Sequence, residues 1–336
     1  MVSRDLYRAA RTRAAALDRS DRGRIVIGGA DRATYLHGLL TNDIAALQPG
    51  LGCYAAYLTP QGRMISDLLV YELGDMILIS LPGSTKDAVL ARFDQFLFGE
   101  DVTLGDVTGT FRQRALIGPE AAGVLSGVLE QTPAGALEAL PEHGNLRATI
   151  GGQPAIVTRI TDTGEPGFDV YIEQDAADTV AARLIETGAA ALDAETADAI
   201  RIEAGVPLFG HDMDEDTIPL EAGIESRAIS FTKGCYVGQE VIIRVLHRGH
   251  GRVARRLVGM MLDGDAAPAR GTVVTAGDRA VGTITSSAMS PALDRPIALS
   301  YLQRDFVAAG TEVSIGGARG AVTALPFVRA ESRLAH

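Results

Sequence analysis

Apolar and polar positions follow a strand-and-helix rhythm through most of the chain and then lose the helical component entirely. Arg24, Ile25, Val26 and Ile27 predict a short strand ahead of Gly28-Gly29, and Asp31 stands where it can cap a helix whose Tyr35, Leu36, Leu39 and Leu40 recur at helical spacing. Residues 53–58 predict a strand closed by the turn Thr59-Pro60-Gln61-Gly62, and residues 68–72 with 76–81 predict a hairpin about Gly74-Asp75. Ser84 or Thr85 then caps a helix that turns Val89, Leu90, Phe93, Phe96 and Leu97 inward. The rhythm returns with strands over 113–117, 154–160 and 167–172 and helices over 119–130 and 175–187. Residues 132–152, rich in Gly, Pro and Ala, read as a surface connection, and a helix over 195–204 stops at Gly205 with Pro207 beyond it. From Leu257 onward only short strands with glycine turns recur (257–262, 272–276, 279–285, 297–302, 312–315 and 318–325), the pattern of a small β-barrel or sandwich. The expected class is α+β, with two antiparallel sheet-and-helix lobes followed by an all-β domain.

Composition narrows this picture. A chain of 336 residues with 46 % hydrophobic content can fill two or three cores. A net charge of −11, no Trp and 5 % aromatic residues argue against phosphate binding along a nucleic acid and against a base-stacking surface, so nucleic acid is not an expected partner. No run of roughly 18 apolar residues occurs, so no membrane span is expected. The basic N-terminus, interrupted by Asp5, Asp18 and Asp21, has no apolar leader segment, and the expected location is the cytoplasm. Cys53 and Cys235 could pair geometrically, but in that compartment they read as reduced thiols. Six scattered histidines, with His247 and His250 the nearest pair, give no metal-ligand spacing, and no metal site is expected. The acidic stretch 209–216 reads as a solvated loop or a cation- or amine-binding rim, and Arg244, Arg248, Arg252, Arg255 and Arg256 as the join to the last domain.

Candidate chemistry concentrates in Lys233-Gly234-Cys235-Tyr236-Val237-Gly238-Gln239-Glu240. Lys233 is one of only two lysines, Lys86 being the other, among 31 basic residues, so a compact ammonium beside Cys235 stands out against a background of arginine. A cation next to a thiol lowers its pKa from about 8.5 and favours the reactive thiolate, whereas the alternative is a buried cysteine in a glycine-rich bend. Asp67, at the entrance of the strand 68–72, can serve a ligand pocket or pair with Arg63. Glu165 and Asp169, bracketed by Gly164 and Gly167, can accept hydrogen bonds from an aminopyrimidine-like ligand or form an ordinary acidic turn. The trio Thr41-Asn42-Asp43 can cap the preceding helix or line a pocket.

The octet resembles the KGCYxGQE signature of the YgfZ-type folate-binding proteins, within the superfamily of the glycine-cleavage T-protein, an aminomethyltransferase. Five further blocks are similar to that superfamily and occur in its order: residues 36–43 (LHGLLTND), 58–63 (LTPQGR), 163–168 (TGEPGF), 201–207 (RIEAGVP), and 282–287 (GTITSS) followed by Ser290-Pro291. The resemblance implies three lobes about a folate channel, with residues 1–50 and 150–245 as one α+β lobe interleaved with 51–149, and a β-barrel over 246–336. It implies tetrahydrofolate or a related reduced folate as cofactor, with Asn42, Asp67, Glu165, Asp169, Tyr236 and Gln239 as folate contacts and Cys235, Lys233 and Asp67 as the reacting groups. The function implied is that of an accessory factor for assembly or repair of iron–sulfur clusters, with iron–sulfur enzymes or cluster-assembly proteins as partners. The alternative is a tetrahydrofolate-dependent aminomethyltransferase. Ser66-Asp67 stands where that enzyme usually has two aspartates, and Cys235 where it has an aromatic or acidic residue; both departures point away from the transferase. Asp169 replaces the superfamily's usual glutamate and is one methylene shorter.

Overall fold

The computed structural model describes residues 2–247 and 251–328. Arg248 and His250 of the basic run and the histidine pair, and the last eight residues of the expected barrel segment, lie outside the described residues.

The first lobe is a five-stranded sheet in the order β3-β4-β5-β2-β6, made of β2 (Gly23–Gly28), β3 (Gly52–Leu58), β4 (Met64–Glu72), β5 (Ile77–Leu81) and β6 (Thr103–Asp106). The helices Arg32–Leu39 and Lys86–Gln95 cover one face of it, where Ile25, Leu36, Leu68, Val70, Val89 and Phe93 share a core. The second lobe is a six-stranded sheet in the order β11-β1-β7-β10-β9-β8, formed by β1 (Ala15–Asp18), β7 (Phe111–Ile117), β8 (Asn145–Ile150), β9 (Gln153–Ile160), β10 (Gly167–Glu173) and β11 (Ala190–Ala191). Its core gathers Leu116, Leu125, Val157, Phe168, Val170, Val180 and Leu184 beneath the helix Ala177–Glu186.

The chain therefore leaves the second sheet after β1, builds the whole first sheet, and returns at β7. The lobes are interleaved, but the exchange does not fall at residues 50 and 149. It falls between Asp18 and Gly23 and between Asp106 and Phe111, because β2 pairs antiparallel with β5 (Ile25 opposite Ile79) while β1 pairs with β7 (Ala16 opposite Leu116). Long-range strand pairing of this kind leaves no mark on local periodicity.

Six strands close the C-terminal barrel in the order β12-β15-β14-β13-β16-β17: β12 (Arg255–Leu262), β13 (Val273–Ala276), β14 (Arg279–Ser290), β15 (Arg295–Gln303), β16 (Glu312–Ile315) and β17 (Ala318–Thr323). Buried ionic groups join it to the lobes. Glu203, at the end of the helix Ala194–Glu203, receives Arg11, the Tyr7 hydroxyl at 2.6 Å and the Ser290 hydroxyl. Arg201 reaches Asp212 at 2.7 Å and Ser286 at 3.0 Å.

Three local expectations change. The connection 132–152 contains a helical turn (Ala136–Ala139) and β8, which pairs with β9 across six residues. The helix expected over 119–130 is confined to Ala121–Ser126. In the acidic stretch, Asp212 and Met213 are buried, because Asp212 accepts hydrogen bonds from Arg201, Leu208 N and Thr285 and so carries its charge inside the join.

Candidate functional site

Side chains of β4 alternate between its two faces, which decides what enters the space between the sheets. Leu68 and Val70 enter the helix-covered core, whereas Leu69 and Tyr71 face the other sheet, where Tyr71 meets Tyr171 edge-on with ring centroids 6.3 Å apart. Ser66 belongs to the first set: it is fully buried and its hydroxyl lies 2.8 Å from Thr85 Oγ1. Asp67 belongs to the second and lines a cavity of about 250 Å³ between the lobes. The carboxylate present is thus the one that faces the cavity, and the serine beside it takes nothing away from that space.

The cavity is walled by the crossing segment between β1 and β2 (Asp18, Arg19, Asp21, Arg22), by Tyr54, Asp67 and Leu69 of the first sheet, and by His143 and the loop Thr161, Asp162, Thr163 of the second lobe. Asp198, Arg201 and Arg227 also line it. Asp67 Oδ2 accepts the Tyr54 hydroxyl at 2.9 Å; Oδ1 is buried and has no hydrogen-bond partner among the described residues. Burial raises the pKa of Asp67, and burial followed by the Asp67 charge holds the Tyr54 phenol well above its ordinary value. The Arg227 guanidinium lies 5.4 Å above the Tyr54 ring. A carboxyl that is deep, proton-biased and unpartnered on one oxygen, on a residue lining the cavity, can accept a proton from, or hydrogen-bond to, a bound N–H group.

Arg19 bridges Asp162 at 2.6 Å and Asp169 at 3.1 Å, and Gln113 donates to Asp169 at 2.7 Å. Burial acts to raise both carboxyls. At Asp162 the Arg19 charge overcomes it and the pKa falls to about 2, while Asp169, fully buried and next to the charge of Asp162, is pushed up to about 6. Asp169 therefore sits behind Arg19 and does not line the cavity. Glu165 is buried against Arg11 and is likewise absent from the cavity wall. The ligand-facing role expected of both gives way to buried ion pairs, because each has an arginine of another element in reach.

In the octet, Lys233 turns away from Cys235. Its ammonium donates to the carbonyls of His37, Leu40 (2.7 Å) and Asn42 (3.0 Å), the end of the helix Arg32–Leu39, where free carbonyls and the helix dipole attract a cation. Burial brings its pKa down to about 8, with the Asp43 carboxylate acting in the opposite direction. The thiol within its field is Cys53, which burial nevertheless pushes up to about 12. Cys235 is exposed and free, on a segment without regular structure. Tyr236 is buried in a core with Ala56, Leu58 and Ile242, its ring 5.2 Å below Lys233 Nζ, and Gln239 opens the helix Gln239–His247. Gly238, at φ +85°, lies so close to Thr59 O that a Cβ there would approach it to 2.6 Å, so this glycine allows the octet to dock on the turn after β3.

Asn42 does not line the cavity either. Its amide donates to the carbonyls of Tyr54 (2.8 Å) and Arg227 (3.1 Å), and Lys233 holds its carbonyl. Lys233, Asn42, Tyr54 and Asp67 thus form one bonded path from the octet to the cavity. Arg63, the alternative partner of Asp67, pairs instead with Asp216 at 2.9 Å. Sequence reasoning missed Arg19, Arg22, Tyr54, His143, Asp162 and Arg227; the polar tetrad Arg19-Ser20-Asp21-Arg22 between two apolar strands was the available signal for the crossing.

An α+β chain with a charged cavity between two sheets and a closed barrel behind them is the class the geometry defines. Residues 2–233 match the family model described as the GCVT N-terminal domain, and residues 255–328 match the glycine cleavage T-protein C-terminal barrel domain. The chain belongs to the glycine cleavage T-protein family. It is 35 % identical to a Rubrobacter xylanophilus aminomethyltransferase over 88 % of its length and 78 % of that protein. It is 32 % identical to a Streptomyces coelicolor aminomethyltransferase over 97 % of its length and 89 % of that protein. Its fold is like that of the glycine cleavage system aminomethyltransferase T from Bartonella henselae (TM-score 0.86, 24 % identity, 96 % of this chain and 89 % of that one).

Proposed function

We propose that the cavity at Asp67 binds tetrahydrofolate or a related reduced folate, and that the protein serves iron–sulfur enzymes in the cytoplasm through the Cys235 thiol. The observation that carries this reading is the octet. Lys233 anchors it through Asn42 and Tyr54 to the wall that holds Asp67, while Cys235 is left exposed at its tip. A thiol so placed can reach a partner protein outside the fold, whereas Asp67 works within the cavity. The folate fits the donor set: Asp67 Oδ1 is a buried acceptor with no partner among the described residues, of the kind the N–H groups of a pterin ring satisfy. Tetrahydrofolate supplies one-carbon chemistry when bound; Asp67 and Tyr54 would orient its ring, and the cations Arg227 and Arg22 in the lining would meet the anionic tail. Replacing Cys235 by Ala in cells that lack the protein should leave it folded and fail to restore iron–sulfur enzyme activity. Full restoration refutes the role of the thiol.

A second reading, which the names of the curated relatives support better than the first, also rests on Asp67: a tetrahydrofolate-dependent aminomethyltransferase. Here the Asp67 carboxyl would handle the proton as the aminomethyl carbon leaves the sulfur of a lipoyl carrier for folate nitrogen, with release of ammonia and the carrier dithiol. Incubation with aminomethylated carrier and saturating tetrahydrofolate decides it, since absence of both methylenetetrahydrofolate and ammonia excludes the transfer.

A further inference from the structure

We infer that His143 is a ligand-contacting residue of the cavity, whose neutral imidazole accepts a hydrogen bond from a ring N–H of the bound molecule; this rests on the folate reading above. Three independent features converge on it. His143 lines the cavity, and its Nδ1 is buried with no hydrogen-bond partner among the described residues. Asp67 Oδ1, on the first-sheet wall, is the other such atom among the lining residues, so two unpartnered polar atoms flank the cavity and suit a ligand with more than one N–H donor, as a 2-aminopyrimidinone edge provides. His143 also has φ +60°, a left-handed conformation that glycine adopts freely and that few other residues take, histidine among the commoner of them.

The turn from Pro141 closes by Gly144 N to Pro141 O at 2.8 Å, His143 N donates to Arg159 O at 3.2 Å, and the His143 carbonyl fits against Gly52, where a Cβ would approach it to 2.6 Å. The turn is thus clamped between β9 and β3, which hold the backbone that brings His143 to the cavity. Nε2 lies 3.6 Å from Glu142 Oε1, beyond hydrogen-bond distance, and in the proposed contact Nδ1 is the acceptor. Burial holds the imidazole below its ordinary pKa, which keeps it neutral at physiological pH.

The two roles the turn allows, backbone shape and ligand contact, separate in His143→Gly and His143→Asn. Glycine removes the imidazole and relieves the left-handed backbone; asparagine tolerates that backbone and returns an acceptor close to the position of Nδ1. Tetrahydrofolate and tetrahydropterin, which lacks the glutamate tail, are titrated by calorimetry into the full chain and both variants, with thermal unfolding in parallel. The expected result is a loss of about 3- to 10-fold in affinity for both ligands in His143→Gly, the size of one neutral hydrogen bond, with unchanged or higher thermal stability and recovery to within about 3-fold in His143→Asn. Equal affinity of His143→Gly and the unsubstituted chain overturns the inference and leaves the folate reading standing. Absence of binding by the unsubstituted chain overturns both.

Discussion

Glu165→Gln separates the two roles that the superfamily turn can have. If Glu165 holds a pterin ring, the substitution weakens folate binding; if it holds Arg11, it weakens the fold. The structure gives the second role: Glu165 is 2 % exposed, Arg11 is 3 % exposed, and the guanidinium lies between Glu165 and Glu203. Glutamine keeps the shape but turns one charge-assisted hydrogen bond into a neutral one. Removing one partner of a buried pair costs about 3–5 kcal/mol when the remaining charge is stranded, but Arg11 keeps Glu203, so a loss of about 1–3 kcal/mol is expected. Urea unfolding at pH 7 should show a lower midpoint at unchanged slope, and tetrahydrofolate affinity, measured well below the transition, should stay within about 2-fold. A 10-fold loss of affinity with an unmoved urea midpoint would refute the reasoning and return Glu165 to the ligand.

Asp67→Asn should raise stability at pH 7 while abolishing tetrahydrofolate-dependent function. Burial raises the folded pKa of Asp67, so its charged form opposes folding above that pKa, and the variant's advantage should shrink as pH falls toward the ordinary carboxyl range. Thermal unfolding at pH 7 and pH 4 checks the sign. The same logic applies to Asp169, pushed up to about 6: between roughly pH 4 and 6 the folded state holds the extra proton, so this group's contribution to stability falls as pH rises through that window. The difference in urea midpoint between Asp169→Asn and the unsubstituted chain should therefore shift in favour of the variant from pH 4 to pH 7. Asp212→Ala strands Arg201 and the Leu208 amide inside the lobe–barrel join and should cost about 3–5 kcal/mol by urea unfolding, where a solvated acidic loop would give a change below about 0.5 kcal/mol.

The chain's own pattern determined its elements more fully than their partners. Period-two alternation and glycine turns located β3, β4, β5 and nearly every barrel strand, because strand formation on a half-buried surface is written into neighbouring residues. The order of short blocks carried the family, and the octet was legible as a unit. Periodicity also contained, unread, the separation of Ser66 from Asp67 onto opposite faces of β4. The tertiary structure alone decided where the charges go. Lys233 was expected beside Cys235 because they are two residues apart, yet three carbonyls at a helix end nearly 200 residues earlier in the chain hold the ammonium. Glu165 and Asp169 share one turn but answer to Arg11 and Arg19, and Asp212 is buried because Arg201 and Thr285 meet it from two sides. A long or charged side chain can reach many partners in an extended chain. Which one it takes is set when sheets and helices pack, since a buried charge must find its counter-charge or hydrogen bonds among the groups packing brings near. The cavity has the same origin: its walls come from the crossing Arg19–Arg22, from β4 and from the His143 turn, which become neighbours only when the interleaved sheets close face to face.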